Sequence, residues 1–448
     1  MKALLDKLHA RLGDFWWYTL MIFMAARAAD CLNVFVGLWL VPKYVPPSEL
    51  GAVMPLSNFA AFLAIPVGVF ATTFRQELSN LAVKREFGKL KTLMRGVFIA
   101  TAVFIVFAIT VSHFLLPHYL ERIRIAEGSL GMLILAYSFI NAISPIFSNP
   151  LQALKKFKAT TVISLVGAPV RLLTMLATIP LRALSGYFVG QASVPSFSIV
   201  TSVIALRKEL SVKAEPYWTK SVVRRFGKLF LIFGASAVLG GISELVQSTV
   251  LRQRLPDVDS AAYYMVTRFS EITSFLSSTL LITIFPFAAE LAAKGRSTHG
   301  LVNKSFGAIV ITNALLALCF CLVGKPLLEL LPQGQAYADF WWAIPCLIGI
   351  STLNAYGPIF LSAEIAANRF RSLFVTLPLT IIYTGGLLLV TGQGYYINCV
   401  GAKTAGVLDA VNVTSLKSML AWMGAAAVIR YLIYAVYSRH TRKRLFMA

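Results

Sequence analysis

RKELSVKAEPYWTKSVVRRFGK, residues 207–228, is the longest basic break in a chain otherwise built of apolar runs, and it falls near the middle of the 448 residues. Working outward from it, apolar runs alternate with short polar breaks near 16–41, 52–74, 97–116, 130–150, 160–181 and 187–206 on one side. On the other they fall near 229–250, 260–286, 306–324, 340–363, 372–392 and 414–437. A membrane-spanning helix takes roughly 20 apolar residues, so about twelve spans leave only roughly 16 per connection, too few for a soluble catalytic domain. The sequence is 57% hydrophobic and 13% charged, with a mean hydropathy of +0.73. Soluble, disordered and disulfide-rich classes are excluded by that composition.

The basic residues test the span count. If both termini and the even-numbered breaks lie inside, 28 Lys and Arg fall on the inner side. Nine fall on the outer side: Lys43, Arg122, Arg124, Arg182, Arg252, Arg254, Lys325, Lys403 and Lys417. One miscounted span would scramble that alternation downstream, so the asymmetry predicts a multi-pass protein of the cytoplasmic (inner) membrane with both termini cytoplasmic. Most of the formal net charge of +22 is thereby topology and needs no nucleic acid as partner. The predicted organisation is an amphipathic helix at 1–14, a six-helix bundle at 15–206, the linker at 207–228, a second six-helix bundle at 229–438 and a basic tail at 439–448. In the first segment Leu4, Leu5, Leu8 and Leu12 share one helical side, the pattern of an interfacial helix. The apolar run after it exceeds a signal-peptide core and reads as a retained span. Within the linker, Trp218, Val222, Val223 and Phe226 set against Lys220, Arg224 and Arg225 predict another interfacial helix leading into span seven.

Ionisable residues in mid-span are the informative ones, because each costs about 2.5 to 3.5 kcal/mol at a helix centre unless paired or wetted. Span one holds Arg27 and Asp30, three apart and so on one side of the helix, with Asn33 continuing the strip. Span eight repeats the device with Arg268 and Glu271 beside Tyr264 and Ser278. Span seven carries Glu244 with Gln247 and Ser248, and span five carries Arg171 beside Pro169. Two readings stand for the pairs: they face a water-filled cavity, or they neutralise each other and tie helices together. Arg430 lies within reach of the inner interface and reads as a snorkelling residue. Asp257 and Asp259 form the sole Asp-x-Asp and read as a solvated turn in place of a metal site. Cys319 and Cys321, two apart on a helix, diverge, so no metal pair or disulfide framework follows.

Several segments together resemble the multidrug/oligosaccharidyl-lipid/polysaccharide exporter (MOP) superfamily, and within it the polysaccharide or O-antigen lipid flippases. They are LVPKYVPPSELGAV (40–53), GYFVGQ (186–191), RRFGKLFLIFG (224–234) and FPFAAEL (285–291) with Pro286. The resemblance spans nearly the whole chain. It implies an all-α fold of about twelve transmembrane helices in two six-helix bundles around a central cavity. It further implies a flippase that carries a polyprenyl-pyrophosphate-linked oligosaccharide from the inner to the outer leaflet by alternating access, and not an enzyme. The implied partners are that lipid-linked sugar, membrane lipids and a polysaccharide polymerase. No cofactor is implied, and the coupling ion is a proton or sodium. By position, the cationic cavity role falls to Arg27 and Arg268, then to Arg75 and Arg171. Asp30, Glu244 and Glu271 would set the cavity charge or carry the coupling ion. Both Arg27 and Arg268 have an acid three positions on, a departure that cancels part of their charge. Two alternatives remain open: a cation-coupled multidrug exporter of the same superfamily, and a membrane-embedded sugar polymerase or glycosyltransferase.

Overall fold

The computed structural model describes residues 24, 27–125, 128–154, 156–273, 284, 287, 288, 291, 294, 296–366, 373–390 and 415–446; for some helical residues, Arg75 among them, it describes backbone alone. The helix expected at 1–14 and Pro286 lie outside the described residues. The chain is all-α, and described helix occupies at least part of each predicted span. Seven helices among the described residues are long and apolar enough to cross a membrane. Their outward faces are apolar: the helix Phe87–Arg122 exposes Phe98, Val103, Val106, Phe107 and Phe114. An apolar surface of that extent is stable only against lipid, which makes this a multi-pass membrane protein.

The chain divides into two compact units, Met1–Val36 with Leu56–Gly241, and Gly37–Pro55 with Ile242–Ala448. In the first, Leu90, Leu93, Met94 and Val97 recur at helical spacing along Phe87–Arg122 and build a core with Phe74, Leu78, Ile146, Leu206 and Phe226. The predicted spans five and six are two helical limbs within Phe157–Ala205, joined at Ala183, whose φ of 43° and ψ of −118° break the helix. Gly186 and Gly190 lie one turn apart after that break. A Cβ at Gly186 would sit 2.2 Å from the Thr178 carbonyl oxygen, and one at Gly190 would sit 2.1 Å from Met175 Cγ. The glycines of GYFVGQ therefore let the two limbs pack closely, Gly186 against backbone and Gly190 against the Met175 side chain.

The linker forms the expected helix into span seven from Lys220 onward but departs from expectation before it. Residues 213–219 are extended, and the helix Lys220–Arg254 runs without a break from the linker through span seven. Pro216 interrupts helix formation, since it lacks an N–H and restricts Glu215 before it. Trp218 consequently lies on no helix. The extended strap docks along Gly88, Thr92 and Gly96, which share one face of Phe87–Arg122 at four-residue spacing. Glu215 N–H donates to the Gly88 carbonyl at 3.2 Å, and Thr92 Oγ1 donates to the Glu215 carbonyl at 2.5 Å. Trp218 fills the notch left by Gly96, where a Cβ would come within 2.2 Å of its Nε1. Tyr217 donates to the buried Glu77 carboxylate at 2.7 Å.

In the second unit, Tyr356, Ile359, Phe360 and Ala363 repeat at helical spacing on Ala343–Ala366 and pack with Val302, Ile309 and Tyr434. The segment Gly37–Pro55 joins this unit although it precedes span two in sequence. Arg252 holds it there: 1% exposed, it donates to Asp257 Oδ1 at 2.7 Å and to the Ser48 carbonyl. Asp259 accepts from the Leu416 N–H at 3.3 Å, at the start of the helix Leu416–Phe446. The Asp-x-Asp is thus no solvated turn: one acid pairs with a buried arginine and the other caps a helix.

Candidate functional site

Residues 27–35 are helical and continue through a π turn, Val36–Leu40. Within the first unit, Arg27 Nη1 pairs with Asp30 Oδ2 at 3.2 Å, with the two side chains 25% and 40% exposed. Arg171 comes to the same place from another helix, where its Nη2 donates to the Ala29 carbonyl at 3.1 Å. It lies within electrostatic reach of Tyr187, Asp30 and Tyr137. Gln191 Nε2 donates to the Tyr187 hydroxyl at 2.8 Å. GYFVGQ therefore does two jobs: its glycines seat the limbs, while Tyr187, within electrostatic reach of Arg171, accepts from Gln191 four positions on. Arg27, Asp30 and Arg171 are brought together as a set. Tyr137, Tyr187 and Gln191 belong to it and escape a search for charged residues, although the motif that carries two of them is visible.

The second unit holds Arg268, Glu271 and Glu244. Arg268 is 8% exposed. Its Nη1 contacts Glu271 Oε1 at 2.8 Å and Oε2 at 3.0 Å, and its guanidinium lies 4.7 Å over the buried Tyr264 ring. Its stem packs so closely on Gly37 that a Cβ there would sit 2.9 Å from Arg268 Cδ. This arginine is neutralised and enclosed, the arrangement of a helix tie. Glu244 is exposed on Lys220–Arg254. Its neighbour Gln247, three positions on, donates through Nε2 to the Tyr263 hydroxyl at 3.3 Å and accepts from the Tyr383 hydroxyl at 2.6 Å. Glu244 lies within electrostatic reach of Tyr263.

Arg430 departs from the snorkelling expectation. Its guanidinium stacks 4.2 Å over the face of Tyr383, a ring buried against Trp422 at 5.1 Å. Helical side chains lean toward the helix N-terminus, which carries this one toward the middle of Leu416–Phe446 and away from its C-terminal end. Arg75 lies on Val53–Val83, with its side chain outside the described residues. Among the described residues no group of three or more His, Cys, Asp or Glu side chains is placed to hold a metal.

By sequence, the chain matches no family model and no curated protein. Solved structures do resemble it. An inward-facing multidrug resistance MATE family transporter of the MOP superfamily superposes with a TM-score of 0.66 at 12% identity, covering 94% of this chain and 96% of that one. The lipid II flippase MurJ in an inward closed conformation gives 0.65 at 14% identity, covering 96% and 92%. A Vibrio cholerae MATE transporter gives 0.57 at 14% identity, covering 96% and 97%. The chain therefore shares its fold with these solved structures.

Proposed function

We propose that the chain is an alternating-access flippase that carries a polyprenyl-pyrophosphate-linked oligosaccharide, such as a repeat unit of O-antigen or another surface polysaccharide, to the outer leaflet of the cytoplasmic membrane. The charge asymmetry supports cytoplasmic termini and two six-helix halves joined by a cytoplasmic linker. The observation that carries the reading is the first-unit cluster, where Arg27 pairs with Asp30 and Arg171, bonded to the neighbouring Ala29 carbonyl, lies within electrostatic reach of the same carboxylate. Such a cluster keeps a positive excess, and a guanidinium fork matches phosphate oxygens. The same fold at similar TM-scores, together with the exposed Glu244, supports a second reading: cation-coupled export of drugs, with Asp30 and Glu244 taking the coupling proton or sodium ion.

The test reconstitutes the protein in vesicles and follows outward appearance of lipid-linked sugar. Arg171→Gln and Arg27→Gln should each lower the rate at least tenfold. Arg268→Gln should act chiefly on stability, because its partner and enclosure mark a tie. Full transport of the lipid-linked sugar by folded Arg171→Gln and Arg27→Gln proteins refutes the assignment. Counter-ion-dependent export of a lipophilic cation, with no movement of lipid-linked sugar, establishes the second reading instead.

A further inference from the structure

Four arginines within or near the end of an apolar span have an acceptor for the guanidinium. Arg27 has Asp30, Arg171 has the Ala29 carbonyl, Arg268 has Glu271, and Arg252 has Asp257 and Ser48. Arg430 has none among the described residues; what holds it is the Tyr383 face below and the electrostatic neighbour Tyr434. Both tyrosine hydroxyls donate elsewhere, Tyr383 to Gln247 and Tyr434 to Thr376 at 2.9 Å. A ring beneath a guanidinium covers one face and leaves all five N–H donors pointing outward in the plane. Arg430 lies within the apolar stretch Leu416–Arg439, where an uncompensated charge is costly. The Tyr263–Gln247–Tyr383 chain fixes the platform, so the arginine is oriented while its donors stay unspent. The site was not legible as a pair because its parts come from four separate helices.

We infer that Arg430, seated on Tyr383, is an anion-binding group of the second unit that grips a phosphate of the lipid-linked substrate. The inference rests on the anionic-lipid reading above and names a group which that reading does not require. The chemistry is a phosphate ester, and two sources exist in a membrane: the diphosphate of a prenyl carrier and the headgroup of bulk phospholipid. A diphosphate offers a guanidinium fork more oxygens than the phosphodiester of a bulk phospholipid, so the prenyl source is the one proposed.

The test titrates purified protein in a non-ionic detergent with farnesyl diphosphate, dioleoylphosphatidylglycerol and tetraphenylphosphonium, reading binding by Trp fluorescence, to which Trp422 beside Tyr383 contributes. Arg430→Gln should weaken farnesyl diphosphate binding at least tenfold, and Arg430→Lys should weaken it less, since a point charge replaces a fork. Tyr383→Leu should weaken it severalfold by removing the platform. Should Arg430→Gln fail to fold, Arg430→Lys and Tyr383→Leu carry the test. Unchanged farnesyl diphosphate affinity in these variants, with the wild type binding, overturns this inference alone. An equal loss toward phosphatidylglycerol makes Arg430 a general headgroup anchor and also overturns it. A wild type that binds tetraphenylphosphonium and no diphosphate removes the functional reading on which it rests.

Discussion

Replacing Gly96 by Ala should release the linker strap from the first unit. The new Cβ would meet three atoms of the Trp218 indole, at 2.2, 2.5 and 2.6 Å, and a rigid bicyclic ring has no soft end to yield, so the whole side chain must leave. Trp218 is 39% exposed, so the covered part of a side chain of roughly 250 Å² is about 150 Å², worth up to about 4 kcal/mol at about 25 cal/mol per Å². The other strap contacts, from Glu215 and Tyr217, survive the substitution, and about half that figure, about 2 kcal/mol, is the expected loss of docking free energy. At about 1.4 kcal/mol per decade this raises the undocked fraction about 30-fold. Trypsin reads that fraction directly, because Lys213 and Lys220 flank the strap and cleavage follows the open population when opening is fast. Gly96→Ala protein in detergent should therefore be cut at these sites about 30-fold faster than wild type, with its melting temperature little changed. Trp218→Ala should match it, and the double variant should add nothing further. A change below about threefold in an otherwise folded protein would refute the seating of Trp218 against Gly96.

Arg252→Ala should cost about 2 to 4 kcal/mol, read as a lower melting temperature in detergent, because it deletes two buried charge-assisted bonds; an unchanged melting temperature would show that Gly37–Pro55 is held by other contacts. Gly190→Val should depress the yield of folded protein, and Met175→Ala should restore part of it by vacating the space the new methyls need; a double variant no better than the single one would contradict the close crossing at that point. Ala183→Gly should stabilise the protein by about 1 kcal/mol, since φ and ψ there fall in the mirror-image region that type II′ turns give to glycine; a lower melting temperature would count against that conformation.

The spans were legible because lipid imposes a simple rule on them: roughly 20 apolar residues and basic flanks. Polar positions inside the units were legible only where partners lie three or four apart on one helix. Arg27 with Asp30 and Arg268 with Glu271 obey that spacing and form the ion pairs their positions suggest. Arg171 meets Ala29 across 142 residues and Tyr383 meets Gln247 across 136, and no periodicity encodes such separations. Arg252 shows the opposite failure. Its place near a span end made it look like an outer topological charge, yet a partner five residues on and a distant carbonyl allow it to be buried. Trp218 has the amphipathic neighbours of a helical residue, but Pro216 two positions earlier sets an extended path there.

The segment Gly37–Pro55, drawn from the amino-terminal half yet built into the second unit, bears on how such a chain can be cut and recombined. Severing it at the linker would give two fragments, of which the carboxy-terminal one lacks the piece that Arg252 clasps. Chimeras that swap halves between chains of this fold at that junction would pair this clasp with a foreign loop. Grafts should succeed more often when 37–55 travels with the carboxy-terminal half, so the natural module of exchange is discontinuous in the gene.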